Sequence, residues 1–223
     1  MGIDIRTRFK VNKVSREKSK LKVESLEGEN LSFDYVISTL PSHLTAKIAP
    51  GLSKTEIQAL NDIKYLGVAC VSLLLKKEIT PYYVTNITDS RVPFTGLIEM
   101  TALVDRKFFE GHSLLYLPKY VNSEDDIFIW DEDRFKHYFI SELKKMNPTL
   151  MDEEIVGASA ARARYVITLP EMGYSKKLQG FSTSILGFFI INSSYITDGT
   201  LNVNETLKVA KSWLPKVLNT VER

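Results

Sequence analysis

The chain has 223 residues, enough for one well-buried core or for one core and a smaller second one. Apolar residues make up 44% and charged residues 25%, the balance of an ordinary soluble globular protein. With 29 basic and 27 acidic residues the formal charge is only +2, so neither nucleic acid nor an anionic membrane is a partner held by bulk charge.

Ile3, Ile5, Val11 and Val14 sit among charged residues in an extended pattern, and Leu21 and Val23 alternate with Lys22 and Glu24. Glu27-Gly28-Glu29-Asn30 is turn chemistry. The run Phe33–Leu40 is more continuously apolar and predicts a strand covered on both faces, followed by a proline turn at Pro41. A small meander cannot cover such a strand alone. Ser53-Lys54-Thr55-Glu56 matches a capping box and opens a helix with Ile57, Leu60 and Ile63 on one stripe. Strand-like runs follow at Tyr65–Leu75, Tyr82–Ile87, Thr95–Thr101 and Ser113–Tyr120, punctuated by Pro81, Pro93 and Gly111. Asp131 caps a second helix whose buried stripe is Phe135, Phe139 and Leu143, and which stops before Pro148. Ile155–Ile167 reads as a long strand, Leu169–Tyr174 as a loop, and Gly187–Ile191 as a short, wholly apolar strand. The last helix starts near Asn202 or Asn204, turns Leu207, Ala210, Leu214, Val217 and Val221 inward, and is kinked or restarted by Pro215. The expected fold class is α+β: a mixed, mostly antiparallel sheet with helices, joined to further strands and a C-terminal helix.

Little in the chain resembles a catalytic centre. His43, His112 and His137 have no paired spacing, so no metal site is expected. Cys70, the only cysteine, lies in an apolar run, which reads as a buried thiol and leaves no internal disulfide. No segment resembles a signal peptide or is long enough to span a bilayer, so no membrane partner is evident and a cytoplasmic protein is the simplest expectation. Asp125-Asp126 and Asp131-Glu132-Asp133 suit a helix start. Glu99, an acid inside a strand, is expected to face solvent or else a pocket. Arg162 and Arg164 share one strand face, either exposed or able to hold a carboxylate. The eleven glycines include no Gly-x-Gly, so the turn that brings a pyrophosphate to a helix N-terminus is not in this sequence.

The order of segments resembles the flavin amine oxidase superfamily, which includes protoporphyrinogen oxidases and phytoene desaturases. Four stretches carry the resemblance. Gly2-Ile3-Asp4-Ile5 with Val11-Asn12-Lys13-Val14 is similar to a strand pair before the family's second nucleotide contact. Asp34-Tyr35-Val36-Ile37-Ser38-Thr39-Leu40-Pro41 is similar to its strand ending in small residues and proline. Arg162–Pro170 resembles the return strand, and Gly187–Ile191 with Asn202-Val203-Asn204-Glu205 resembles the segment that closes over the flavin.

The resemblance implies FAD as cofactor, with Val11 offering backbone groups to the adenine and Ser38, Thr39 and Pro41 lining the cofactor channel. It places Asn202, Val203 and Asn204 near the flavin ring or ribityl chain. Where the family's strand ends in Gly-Asp, Asn192-Ser193 follows Ile191 here and offers hydrogen bonds without the charge. It implies three regions: residues 1–51 as part of an FAD-binding domain, 52–167 as a substrate-binding domain, and 168–223 as the return to the FAD-binding domain. Glu99, Tyr116 and Arg164 are the candidates for contact with a small-molecule substrate, and no catalytic residue is identified.

The expected protein is thus the C-terminal part of an FAD-dependent oxidoreductase acting on a C–N or C–C bond, inactive without an N-terminal glycine-rich segment. The alternatives are a non-catalytic binding module, a partner subunit completing a dinucleotide-binding protein, and a self-contained α+β domain. Uncovered strands would favour self-association.

Overall fold

The computed structural model describes residues 2–221. The α+β fold divides into two units, one formed by residues up to Lys64 and from Ile167 onward, the other by Tyr65–Val166.

The first unit opens with an antiparallel meander of β1 (Val11–Glu17), β2 (Lys20–Ser25) and β3 (Asn30–Phe33). Its register sets Val14 opposite Val23 and Leu21 opposite Phe33. Strand alternation therefore puts Val14, Leu21 and Val23 on one face, where all three are buried. The expected continuous strand from Phe33 to Leu40 is divided, because Phe33 still pairs with β2 while β4 (Val36–Ser38) pairs elsewhere. Nor is it covered on both faces: Tyr35, Ile37 and Leu40 are exposed. The proline turn becomes the start of a short helix, α1 (Ser42–Ile48), with Pro41 at its N-cap accepting the Leu44 and Thr45 N–H groups. α1 buries Ser42, Thr45 and Ala46. α2 (Lys54–Asn61) has the expected capping box: Glu56 N–H donates to the Ser53 hydroxyl, and Ser53 N–H donates to the Glu56 carboxylate at 2.8 Å.

The second unit is a five-stranded sheet of β5 (Tyr65–Leu75), β6 (Val84–Asn86), β7 (Gly96–Glu99), β8 (Ser113–Asn122) and β9 (Ile155–Thr168), in the order β6-β7-β8-β5-β9. β6 and β7 are shorter than their apolar runs; β6 is an edge strand, and Pro81 and Pro93 keep the pairing from extending. One face is covered by α3 (Glu132–Met146), capped by Asp131, whose carboxylate accepts the Arg134 N–H at 2.7 Å. Phe135, Phe139 and Leu143 pack with Ala69, Val71, Leu73, Leu115 and Leu117, all with no residual exposure. Gly67 is required on this face: a Cβ would lie 2.5 Å from the Phe128 ring and 2.7 Å from the Ala163 carbonyl.

The chain then returns to the first unit through α4 (Tyr174–Lys177), β10 (Phe188–Ile190) and α5 (Val203–Val221). β10 pairs in parallel with β4, Phe188 opposite Val36 and Ile190 opposite Ser38. Phe188 and Ile190 join Val14, Leu21, Leu60 and Ile185 in this unit's core. α5 departs from expectation. Of the predicted inward stripe only Val217 is buried, Val221 is partly covered, and Leu207, Ala210 and Leu214 are exposed. The helix is held instead by Trp213, whose ring lies 5.4 Å from Phe181 and 5.3 Å from Tyr195. It runs through Pro215 without ending.

Candidate functional site

The parallel pair β4/β10 ends in two turns stitched together by side chains. The Asn192 amide donates to the Leu40 carbonyl at 2.7 Å and to the Ser42 hydroxyl at 3.3 Å, while its oxygen accepts the Ser194 N–H at 2.9 Å. Ser38 and Thr45 share a hydroxyl–hydroxyl bond of 2.7 Å, and the Tyr174 hydroxyl donates to the Ser194 carbonyl at 2.7 Å. Ser38, Ser42, Asn192 and Ser194 are buried, so this network locks the strand ends in place.

Two grooves flank these strand ends. One, of about 580 Å³, is lined by Val11, Val36, Ser38 and Thr39, with Lys10 and Lys47 also in its wall. The other, of about 430 Å³, is lined by Thr39, Asn192 and Ser193 against Leu201, Ala210 and Leu214 of the α5 side. Ile37 and Thr39 line both. Either volume lies in the range of roughly 300–1,000 Å³ typical of small-molecule and cofactor sites. Among the described residues that line the second groove none is Asp, Glu, Lys, Arg or His, so it is suited to an apolar ring and to hydrogen bonds with hydroxyls.

Val11, Ser38 and Thr39 thus meet in one groove, and Thr39, Asn192 and Ser193 in the other. Pro41 caps α1 and lines neither. Asn202 caps α5 by accepting the Glu205 N–H at 2.9 Å; Asn202, Val203 and Asn204 are exposed and outside both linings. Ile37, Ile191 and Leu214 were not among the expected site residues, yet they form the apolar walls. Their signal was available at Ile37, which alternation sets opposite to Val36 and Ser38.

The three substrate candidates do not come together. Glu99 does not face solvent: it is 1% exposed, accepting from the Ser113 and Thr101 hydroxyls and, at 3.4 Å, from the Ile79 N–H. Arg164 donates to the Ser123 carbonyl and lies over the Phe128 ring at 4.5 Å. Arg162 donates to the Ile127 and Trp130 carbonyls. Both guanidiniums therefore bind backbone on the α3 side of the sheet. Tyr116, opposite Ser72 and Ile98, is half-buried on the other face.

A sequence profile of the family described as flavin containing amine oxidoreductase matches residues 2–165, and the chain belongs to that family. No curated protein sequence matches it. Among solved structures it resembles a protein of Exiguobacterium sp. 255-15 provisionally named a protoporphyrinogen oxidase, with 14% identity and a TM-score of 0.78 over 99% of this chain and 48% of that one. It also resembles an oxidoreductase from Methanosarcina mazei (17% identity, TM-score 0.68, 92% and 48% covered) and a putrescine oxidase (14%, 0.67, 95% and 48%). These are likenesses of fold, and the chain spans about half the length of each of these structures.

Proposed function

We propose that this chain is the substrate-bearing and flavin-closing part of an FAD-dependent oxidoreductase that oxidises a C–N or C–C bond. The observation that carries the reading is the pair of grooves meeting at Ile37 and Thr39, at the carboxyl end of a parallel strand pair. That end of a parallel pair is where α/β sheets bind nucleotides. The grooves fit the apolar and hydroxyl-bearing parts of the cofactor. Val11, Val36 and Ile37 would hold the adenine side, while Thr39, Ser193, Ile191 and Leu214 would hold the ring and ribityl side. Asn192 would keep the turn in shape, because its amide is already engaged. The flavin, when bound, would accept the electron pair from the substrate, and the protein would orient the two and keep water out.

The pyrophosphate grip does not fit this sequence, which has no Gly-x-Gly. In this reading a glycine-rich unit outside these 223 residues supplies it and covers the exposed side of Ile37 and Leu214. The chain covers 48% of each of the first two similar structures, which leaves room for such a unit.

Equilibrium dialysis against FAD tests this. The chain alone is expected to bind well below one FAD per molecule. Co-produced with a polypeptide carrying the glycine-rich unit, it is expected to retain one, and Ile37→Glu is expected to weaken retention at least about tenfold by burying an unpaired charge. Stoichiometric flavin on the chain alone, or retention indifferent to Ile37→Glu, would contradict the reading.

A further inference from the structure

We infer that the uncovered face of the five-stranded sheet binds an uncharged, apolar substrate with a flat or extended body, not an amine cation or a carboxylate. This rests on the function proposed above and names the substrate class for the unit spanning Tyr65–Val166. The register decides which residues share that face. Leu66, Val68, Cys70, Ser72 and Leu74 of β5 stand opposite Asn122, Tyr120, Pro118, Tyr116 and Leu114 of β8. Ile98 lies opposite Tyr116 and Val84, and Gly96 opposite Asn86. Directly opposed residues project to the same side. Not one of them is Asp, Glu, Lys, Arg or His.

The five strands carry four charged residues, and all four are on the other side. Glu99 pairs with Leu115 and Lys119 with Ala69, on the α3 face, and Arg162 and Arg164 lie over Phe135 and Phe128 of that same face. This inverts the usual pattern, in which an open sheet face takes the charges and the covered face the apolar side chains. A face meant for water would carry Lys, Glu or Thr. This one carries Tyr120 at 53% exposure and Val84 at 47%, and most of its other side chains are half-buried. The small side chains of Cys70 and Ser72 stand opposite Pro118 and the ring of Tyr116 on this face. A cation or carboxylate seated here would lose its hydration without gaining a partner charge. A neutral ring system or chain loses nothing comparable.

Cys70 is the only cysteine and lies half-buried on this face, opposite Pro118, so it reports on the face without further engineering. Alkylation of the full chain by N-ethylmaleimide would be timed with and without Nile red, a neutral planar dye, and with putrescine or decanoate in its place. Nile red is expected to slow alkylation at least about fivefold, while neither ion does. Ser72→Glu and Tyr120→Glu are each expected to weaken Nile red protection about tenfold. Tyr120 is exposed, so its variant remains informative if Ser72→Glu fails to fold. Ile37→Glu, in the other unit, is expected to leave protection unchanged. Absence of protection by Nile red, equal protection by either ion, or loss of protection only in Ile37→Glu would overturn the inference. Failure to retain FAD would count against the proposed function, whereas failure of Cys70 protection would count against the substrate class alone.

Discussion

Glu99 shows how one buried carboxylate organises two loops. It ends β7 with two hydroxyls and a backbone N–H as donors: Ser113 at the start of β8, Thr101 in the following turn, and Ile79 after β5. Replacing it with Leu would remove the acceptor of all three donors, leaving the Thr101 and Ser113 hydroxyls only each other at 3.1 Å, which costs roughly 1–3 kcal/mol. Glu99→Leu is therefore expected to lower the urea midpoint clearly, and Glu99→Gln, which keeps an acceptor, to lower it less. Equal midpoints for Glu99→Leu and the parent would show that the clasp contributes nothing. The residue type was legible in the sequence as an acid inside a strand. Its direction was not, because β7 has only four residues and shows too little alternation to assign a face. Arg162 and Arg164 follow the same lesson. Their shared face could be read from spacing, but the carbonyls of Ser123, Ile127 and Trp130 that hold them come from a distant segment.

Helix α2 carries its own start signal and a tether to the returning chain. Besides closing the capping box, the Glu56 carboxylate accepts the Ser184 N–H at 2.6 Å and the Ser184 hydroxyl. Burial pushes this carboxyl up, but the hydrogen bonds from Ser184 and Ser53 outweigh it and hold the group below the usual carboxylate range. A carboxyl depressed in the folded state contributes stability that is present above its unfolded value and lost as pH falls through the folded one. Urea midpoints measured between about pH 6 and about pH 3 are therefore expected to fall more gently in Glu56→Gln than in the parent. An unchanged acid slope would remove Glu56 from the cause. The capping box was legible because it is local in sequence, whereas Ser184 lies 128 residues away. α5 is the opposite case: its apolar period predicted a buried stripe, yet period alone does not say what lies beneath the stripe.

Among the described residues two hydrophobic cores share no residue, one gathered around Leu21, Leu60 and Phe188 and the other around Leu73, Leu115 and Phe139. Phe139 has no residual exposure and meets Phe135 edge-on at 4.7 Å and Phe94 at 5.8 Å. Phe139→Ala is expected to cost about 3–5 kcal/mol through lost burial and the cavity left behind. Trp130, in the same unit, reports the loss when Trp213→Phe removes the only other tryptophan. A loss under about 1 kcal/mol would mean that this core relaxes around the gap.

By itself the sequence determined the α+β class, the family, the capped helices α2 and α3, and the long strands β5 and β8. Each of these depends on residues close together in the chain or on an order of segments. Tertiary structure alone decided that β4 pairs with β10, that Thr39 faces two grooves, that Glu99 points inward, and that one sheet face carries no charge. Those facts depend on which distant segments become neighbours. A strand's two faces are chemically equivalent until something packs against one of them.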